Sequence, residues 1–436
     1  MQTDITKNLP SPENVLKKKF PNGVTVLIRE NAWSSTAAVC GSVNAGFCLD
    51  PAEKFGLSQF VSACLTAGTR HRGLTQIDEY LESIGGRLAF KSTPHNIRFS
   101  GKCLCEDLAD YLRLLKELLD EPVFPEECLD ILWERMVKGY GVPEEKEKPW
   151  IYQRFDEMLW GEDHPYGRRD FTNDDLERVI TREDLLDFHS RYFGPRKFVI
   201  SLVGGFHGEE VMRLCEEIFG AWEKAQEVPD EDALFPDVEP YDECYLTHSE
   251  ATYRKDVSFL VGDHGPAADD PDIMSAKIGN LILGGSGWSG RLVNTVRYEH
   301  GLAYSIYSAL RPMKKGGSWS VCADVYPEDL DKAARLVHDE LRRFTTEPVS
   351  LQELEDAKSW YINSLPAEFV NNTEMAAELH SLAFLERDLD YYLRLPDQIK
   401  AVTPETILAS AKKWINPNKL VLITTGPRAG TAVSFP

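Results

Sequence analysis

Between residues 223 and 243 this 436-residue chain carries nine acidic residues, one lysine, and prolines at 229, 236 and 240. A stretch so charged and so poor in apolar side chains buries too little surface to offset the entropy of ordering it. It reads as an exposed linker, drawn over residues 226–250, and it divides the chain into two bodies, 1–225 and 251–436. Each body is long enough to close a core of its own.

The patterning on the two sides of this break follows one order. In the first half, strands over 24–29 and 36–47 precede a helix over 55–66 whose apolar residues Leu57, Phe60, Val61, Cys64 and Leu65 share one face. A second helix over 75–84 stops at Gly85-Gly86, and two strands of a hairpin follow over 87–91 and 96–102. Leu108, Tyr111, Leu112, Leu115, Leu118 and Leu119 then mark an amphipathic helix. A long helix opens at Pro125, another is capped by Thr181, and a strand over 198–203 follows.

The second half repeats the sequence of elements. A strand over 255–261 leads to a helix over 272–283, a strand pair ending over 319–325, and an amphipathic helix over 330–344. Ser350-Leu351-Gln352-Glu353 is a capping box, Thr403-Pro404 opens a further helix, and a strand over 420–424 closes the pattern. The expected class is therefore α+β: two topologically duplicated domains, each a mostly antiparallel sheet packed with helices.

Charge and cysteine usage narrow the function. A net charge of −22 leaves no basic face for nucleic acid; it suits basic peptides, and equally a merely soluble surface. No apolar run approaches the ~18 residues of a membrane span. Met1-Gln2-Thr3-Asp4 does not open a secretory signal. Nine scattered cysteines without a C-x-x-C pair read as reduced thiols, which places the chain in the cytoplasm. Ten histidines include no pair at three- or four-residue spacing, so the residues predict no metal and no cofactor in this chain.

One stretch joins a glycine-dense loop, a short helix and an aromatic strand without a gap. It runs from Gly284, Gly285, Gly287 and Gly290 through Arg291–His300 to Gly301 and Tyr304. Gly301 is placed to end the helix in a left-handed conformation. Arg297 in the last turn and Tyr304 just past the turn then reach one point in space. A guanidinium beside a phenol is an oxyanion or carbonyl clamp. The alternative is an arginine on the carbonyl end of its own helix and a tyrosine in the core.

Taken together, the order and spacing of several short motifs resemble the pitrilysin/insulinase family of zinc metallopeptidases, mitochondrial processing peptidase subunits and bacterial relatives included. The motifs are Phe55-Gly56-Leu57, Leu65-Thr66-Ala67-Gly68-Thr69, Ile84-Gly85-Gly86, His164-Pro165-Tyr166-Gly167, Ile180-Thr181-Arg182-Glu183-Asp184-Leu185 and Gly301-Leu302-Ala303-Tyr304-Ser305. The resemblance spans nearly the whole chain and implies that the two domains form half of a clamshell.

The family's catalytic centre is an inverted zinc motif, H-x-x-E-H, on the first helix. The matching positions here are Gln59, Ser62 and Ala63, and the third ligand's position falls around residues 138–140, near Tyr140, without an acidic residue. The resemblance therefore implies a chain inactive alone. It further implies that Arg297 and Tyr304 match the family's substrate-binding and oxyanion-stabilising pair. The zinc would be held by a homologous partner subunit with an intact motif, acting on a peptide substrate. Gly284, Gly285 and Gly287 resemble a substrate-recognition segment of non-catalytic subunits, with domain packing as the alternative. Leu88 and Ala89 stand on the strand that in the family pairs with substrate, although active members carry Asn-Ala there. A peptide-binding or scaffold protein without catalytic role, open to homodimerisation, is the rival reading.

Overall fold

The computed structural model describes residues 9–138, 143–168, 180–224, 226–238, 245–250 and 254–427. In the first half, β1 (Leu16–Lys19), β2 (Thr25–Glu30) and β3 (Thr36–Val43) precede α1 (Leu57–Cys64), α2 (Leu74–Ser83) and the hairpin β4 (Arg87–Ser92) and β5 (Ile97–Leu104). Helices α3 (Leu108–Asp120), α4 (Glu126–Lys138), α5 (Pro143–Trp160) and α6 (Arg182–Tyr192) lead to β6 (Val199–Gly204), α7 (Gly208–Cys215) and the single turn α8 (Glu231–Leu234). The second half runs β7 (Tyr245–Glu250), β8 (Val257–His264), α9 (Ile273–Asn280), β9 (Ala303–Pro312), β10 (Gly317–Val325), α10 (Leu330–Thr346) and α11 (Leu351–Ser364). It ends with α12 (Asn372–Phe384), α13 (Tyr391–Ala401), α14 (Pro404–Trp414) and β11 (Val421–Gly426).

The duplication is carried by the sheets. One has the order β1-β2-β6-β3-β5-β4 and the other β7-β11-β8-β10-β9. Setting β1 aside, the two orders correspond strand for strand. In each, one pair is parallel, β2 with β6 and β11 with β7, and the remaining pairs are antiparallel. This is the α+β, twofold-repeated architecture expected from the patterning.

The compact units do not coincide with the halves of the chain. One unit comprises residues 1–140, 170–236 and 365–394; the other comprises 141–169, 237–364 and 395–436. Thus α12, from the second half, packs on the first sheet. The Ser201 hydroxyl of β6 donates to the Ala376 carbonyl at 2.6 Å, and buried His380 meets the Ser42 hydroxyl of β3 at 2.8 Å. Reciprocally, α5 packs on the second sheet. Phe155 lies so close over Gly262 of β8 that a Cβ there would come within 2.9 Å of its ring. Asp156 accepts from Arg311 of β9 at 3.0 Å, and the hydroxyls of Tyr152 and Tyr307 are hydrogen-bonded.

Within the range drawn as linker, 226–250, some of the described residues pack against the first unit's core or join a sheet. Phe235 is buried and stacks on His95 with ring centroids 4.2 Å apart, and His95 Nδ1 meets Glu231 at 2.8 Å. Residues 245–250 form β7, an edge strand. An aromatic side chain and a paired histidine offset the cost of ordering the acidic stretch around them, which composition alone does not reveal.

Candidate functional site

In the second unit, α9 runs on into the glycine loop. Gly284 is buried, and a Cβ on it would sit 3.3 Å from the Ser308 nitrogen, so this glycine serves packing against β9. Gly285 and Gly287 lie at the surface, the latter with φ +71° and open space within 4 Å of where a Cβ would project. The loop is closed by Ser286, whose hydroxyl accepts from the Ser289 nitrogen at 2.9 Å. Trp288 stands at its tip, 74% exposed.

Arg291 anchors the junction of loop and helix. Its guanidinium donates to Glu353 at 2.7 and 3.0 Å, lies over the Phe344 ring, and comes to 3.7 Å from the buried Glu340. Those hydrogen bonds from Arg291 hold the Glu353 carboxyl well below its usual range, at about 2, whereas burial pushes Glu340 up. Glu353 is also the reciprocal residue of the capping box, bonded to the Ser350 nitrogen at 2.8 Å. One side chain therefore starts α11 and fixes the glycine loop.

The helix beyond Arg291 is wider than an α-helix: residues 293–299 form a π-helical segment, with Leu292, Val293 and Val296 buried. It ends as the glycine predicts. Gly301 has φ +66°, its nitrogen bonds to the Arg297 carbonyl at 3.0 Å, and the Leu302 nitrogen bonds to the Val296 carbonyl at 3.0 Å. The chain then enters β9, an edge strand of the second sheet.

This turn brings Arg297 and Tyr304 together. The guanidinium carbon lies 5.4 Å from the Tyr304 ring centroid and 5.5 Å from those of Trp288 and Tyr298. Tyr304 is 86% exposed, so it is not a core tyrosine. Neither the guanidinium nor the Tyr304 hydroxyl has a hydrogen-bond partner among the described residues. The result is a half-buried cation held between three aromatic faces, each contact worth ~0.5–1 kcal/mol, with its N–H donors open. Trp288 and Tyr298 were not singled out from the sequence; an aromatic inside a glycine loop and one beside the helical arginine were the available signals. Tyr298 also donates to the Trp288 carbonyl at 3.2 Å, tying loop to helix.

The first unit holds the other candidate positions. Asp50 caps the start of α1, accepting from the Gly56 and Ser58 nitrogens at 3.0 and 2.9 Å. Ser58 also bonds Ser92, which ties α1 to β4. Gln59 is half-buried, Ala63 is exposed, and the buried Ser62 donates to the Gln59 backbone carbonyl at 2.8 Å, not to its side chain. An amide, a hydroxyl already engaged and a methyl group do not make a zinc site. Among the described residues no group of three or more His, Cys, Asp or Glu is arranged to hold a metal ion. Tyr140 lies outside the described residues. Leu88, half-buried, and Ala89, exposed, stand on β4, the edge of the first sheet.

Comparison with known proteins gives a consistent answer. Residues 25–149 match the family model described as insulinase (peptidase family M16), and residues 180–360 match that of the peptidase M16 inactive domain. An uncharacterised zinc protease of Mycobacterium tuberculosis is 25% identical over 408 residues, covering 91% of this chain and 90% of that protein. The probable mitochondrial-processing peptidase subunit beta of Schizosaccharomyces pombe is 25% identical over 399 residues, covering 86% and 82%. The crystal structure of a peptidase M16 inactive domain from Pseudomonas fluorescens shares the fold, with a TM-score of 0.85 at 23% identity over 97% of this chain and 100% of that one.

Proposed function

We propose that this chain, which belongs to the M16 (insulinase) family of peptidases, is the zinc-free subunit of a heterodimeric zinc metalloendopeptidase. The observation that carries the reading is the Arg297–Tyr304 pair, with its phenol exposed, intact in a chain whose motif helix offers only Gln59, Ser62 and Ala63 at the matching positions. A scaffold has no use for a guanidinium and a phenol side by side with their hydrogen-bond donors unused.

In the proposed pair the zinc belongs to a homologous partner with an intact H-x-x-E-H. Arg297 donates to a carbonyl of the bound peptide, and the Tyr304 hydroxyl donates to the oxygen that gains charge as the peptide carbon becomes tetrahedral. Trp288 and Tyr298 give the peptide an apolar wall beside that oxygen. We place the pair in the cytoplasm; the eight described cysteines are thiols with no disulfide among them, which suits a reducing compartment.

Co-purification from the native host is the test, followed by reconstitution. A companion of similar length with the intact motif is expected. Arg297→Ala or Tyr304→Phe should lower activity of the pair by ~10²-fold, an oxyanion contact of ~3 kcal/mol, with assembly unchanged. Full activity in both variants refutes the roles. Stoichiometric zinc and chelator-sensitive cleavage by this chain alone refutes the subunit reading. Peptide binding by a self-associated chain with no companion establishes the scaffold instead.

A further inference from the structure

Helix α1 packs along α4 through two contacts. Phe60 stacks on Trp133 with centroids 6.0 Å apart, and one turn further along α1 the Cys64 sulfur lies 3.3 Å from that of Cys128. Both are thiols, with no disulfide between them. Their sulfurs are closer than van der Waals contact normally allows, and ~1.3 Å of further approach reaches a disulfide bond length.

We propose that Cys64 and Cys128 are an oxidation site in which Cys128 reacts first and Cys64 closes a disulfide that staples α1 to α4. The environments divide the roles. Cys128, the third residue of α4, is partly exposed, so a peroxide in solution reaches its sulfur before that of Cys64. Cys64 is fully buried, and its hydrogen bond with Cys128, followed by burial, pushes its thiol up, which suits the second, resolving role. Elsewhere burial pushes the Cys103 and Cys215 thiols up to about 12, which keeps them protonated and unreactive. The inference is independent of the proposed peptidase role.

With a peroxide as oxidant, the Cys128 thiolate attacks one oxygen of hydrogen peroxide. The O–O bond breaks, hydroxide leaves, and Cys128 becomes a sulfenic acid. Cys64 then attacks the Cys128 sulfur, its proton going to the departing hydroxyl, so that an S–S bond replaces the S–O bond and water leaves. Two thiols and one peroxide give one disulfide and two waters, with two electrons passing from sulfur to oxygen. A dithiol reverses it.

The test treats the purified full chain with one equivalent of hydrogen peroxide. Thiols titrated under denaturing conditions should fall by two from nine, and non-reducing peptide mapping should show Cys64 joined to Cys128. Because the link closes a long loop, the melting temperature should rise by ~5 °C or more and return with dithiothreitol. Cys64→Ser should stop the reaction at a sulfenic acid on Cys128, trapped by dimedone, and Cys128→Ser should form no link. Oxidation landing first on Cys105, a link between other cysteines, or a lower melting temperature in the linked protein overturns the proposal.

Discussion

Replacing Arg291 by methionine removes the cation that ties the glycine loop to α10 and α11 while keeping a side chain of similar length. The two carboxylates it serves respond differently. Glu353 keeps 34% of its side chain in water and can be re-solvated. A carboxyl held at about 2 rather than its ordinary 4.5 would represent ~3.4 kcal/mol unscreened, and exposure reduces this to ~1–2 kcal/mol. Glu340 is only 4% exposed and keeps Arg343, at 3.1 Å. Stripping one partner from a buried ion pair costs ~3–5 kcal/mol, and the remaining arginine lowers that to ~2 kcal/mol. The sum, ~3–4 kcal/mol, should lower the melting temperature of the second unit by ~6–16 °C.

Scanning fluorimetry and urea unfolding of Arg291→Met, Glu353→Gln and the double variant test this. Glu353→Gln should cost ~1–2 kcal/mol, and the double variant should be no worse than Arg291→Met, because both act on one network. The pH dependence has a definite sign. Glu353 titrates lower in the folded chain, so its stabilisation is complete above pH 4.5 and is lost as pH falls towards 2. The gap between wild type and Glu353→Gln should narrow over that window. An Arg291→Met variant within ~1 kcal/mol of wild type, or additive single changes, would refute the reasoning.

Three further outcomes are expected. Gly301→Ala meets no atom within 4 Å but must hold φ +66°, so it should cost ~1 kcal/mol in urea unfolding while lowering the activity of the reconstituted pair disproportionately. In the first unit, burial and then Arg98 hold His380 down at about 3. The unfolded chain therefore takes up the proton first, stability is full above pH 6.5, and it falls by ~1.4 kcal/mol per pH unit below that; a His380→Gln variant should lose this contribution. Trp288→Ala should raise KM for peptide in the pair by several-fold with kcat unchanged, measured by steady-state kinetics, because a stacking contact binds ground state and transition state alike.

Much of the candidate site is legible from residue order. Gly301 had to be a helix end and Tyr304 had to follow it closely, and both positions stand where the spacing put them. The emptiness of the motif helix needed only the identities of Gln59, Ser62 and Ala63. What sequence could not tell was whether Tyr304 lies at the surface or in the core. That depends on which strands lie beside β9, and the fold leaves it exposed. The Arg291–Glu353 pair is not legible in residue order, since residues 62 positions apart meet only once α11 has docked.

The sequence by itself determined the local elements, their twofold order and the absence of zinc ligands from the first helix, because periodicity, glycine positions and side-chain chemistry are properties of neighbours along the chain. Only the tertiary structure decided which body each helix joins. An amphipathic pattern states that one face of α5 or α12 must be covered; it does not state by which sheet. Two sheets of the same topology offer similar apolar faces, and the choice rests on particular contacts: Phe155 over Gly262, and His380 against Ser42.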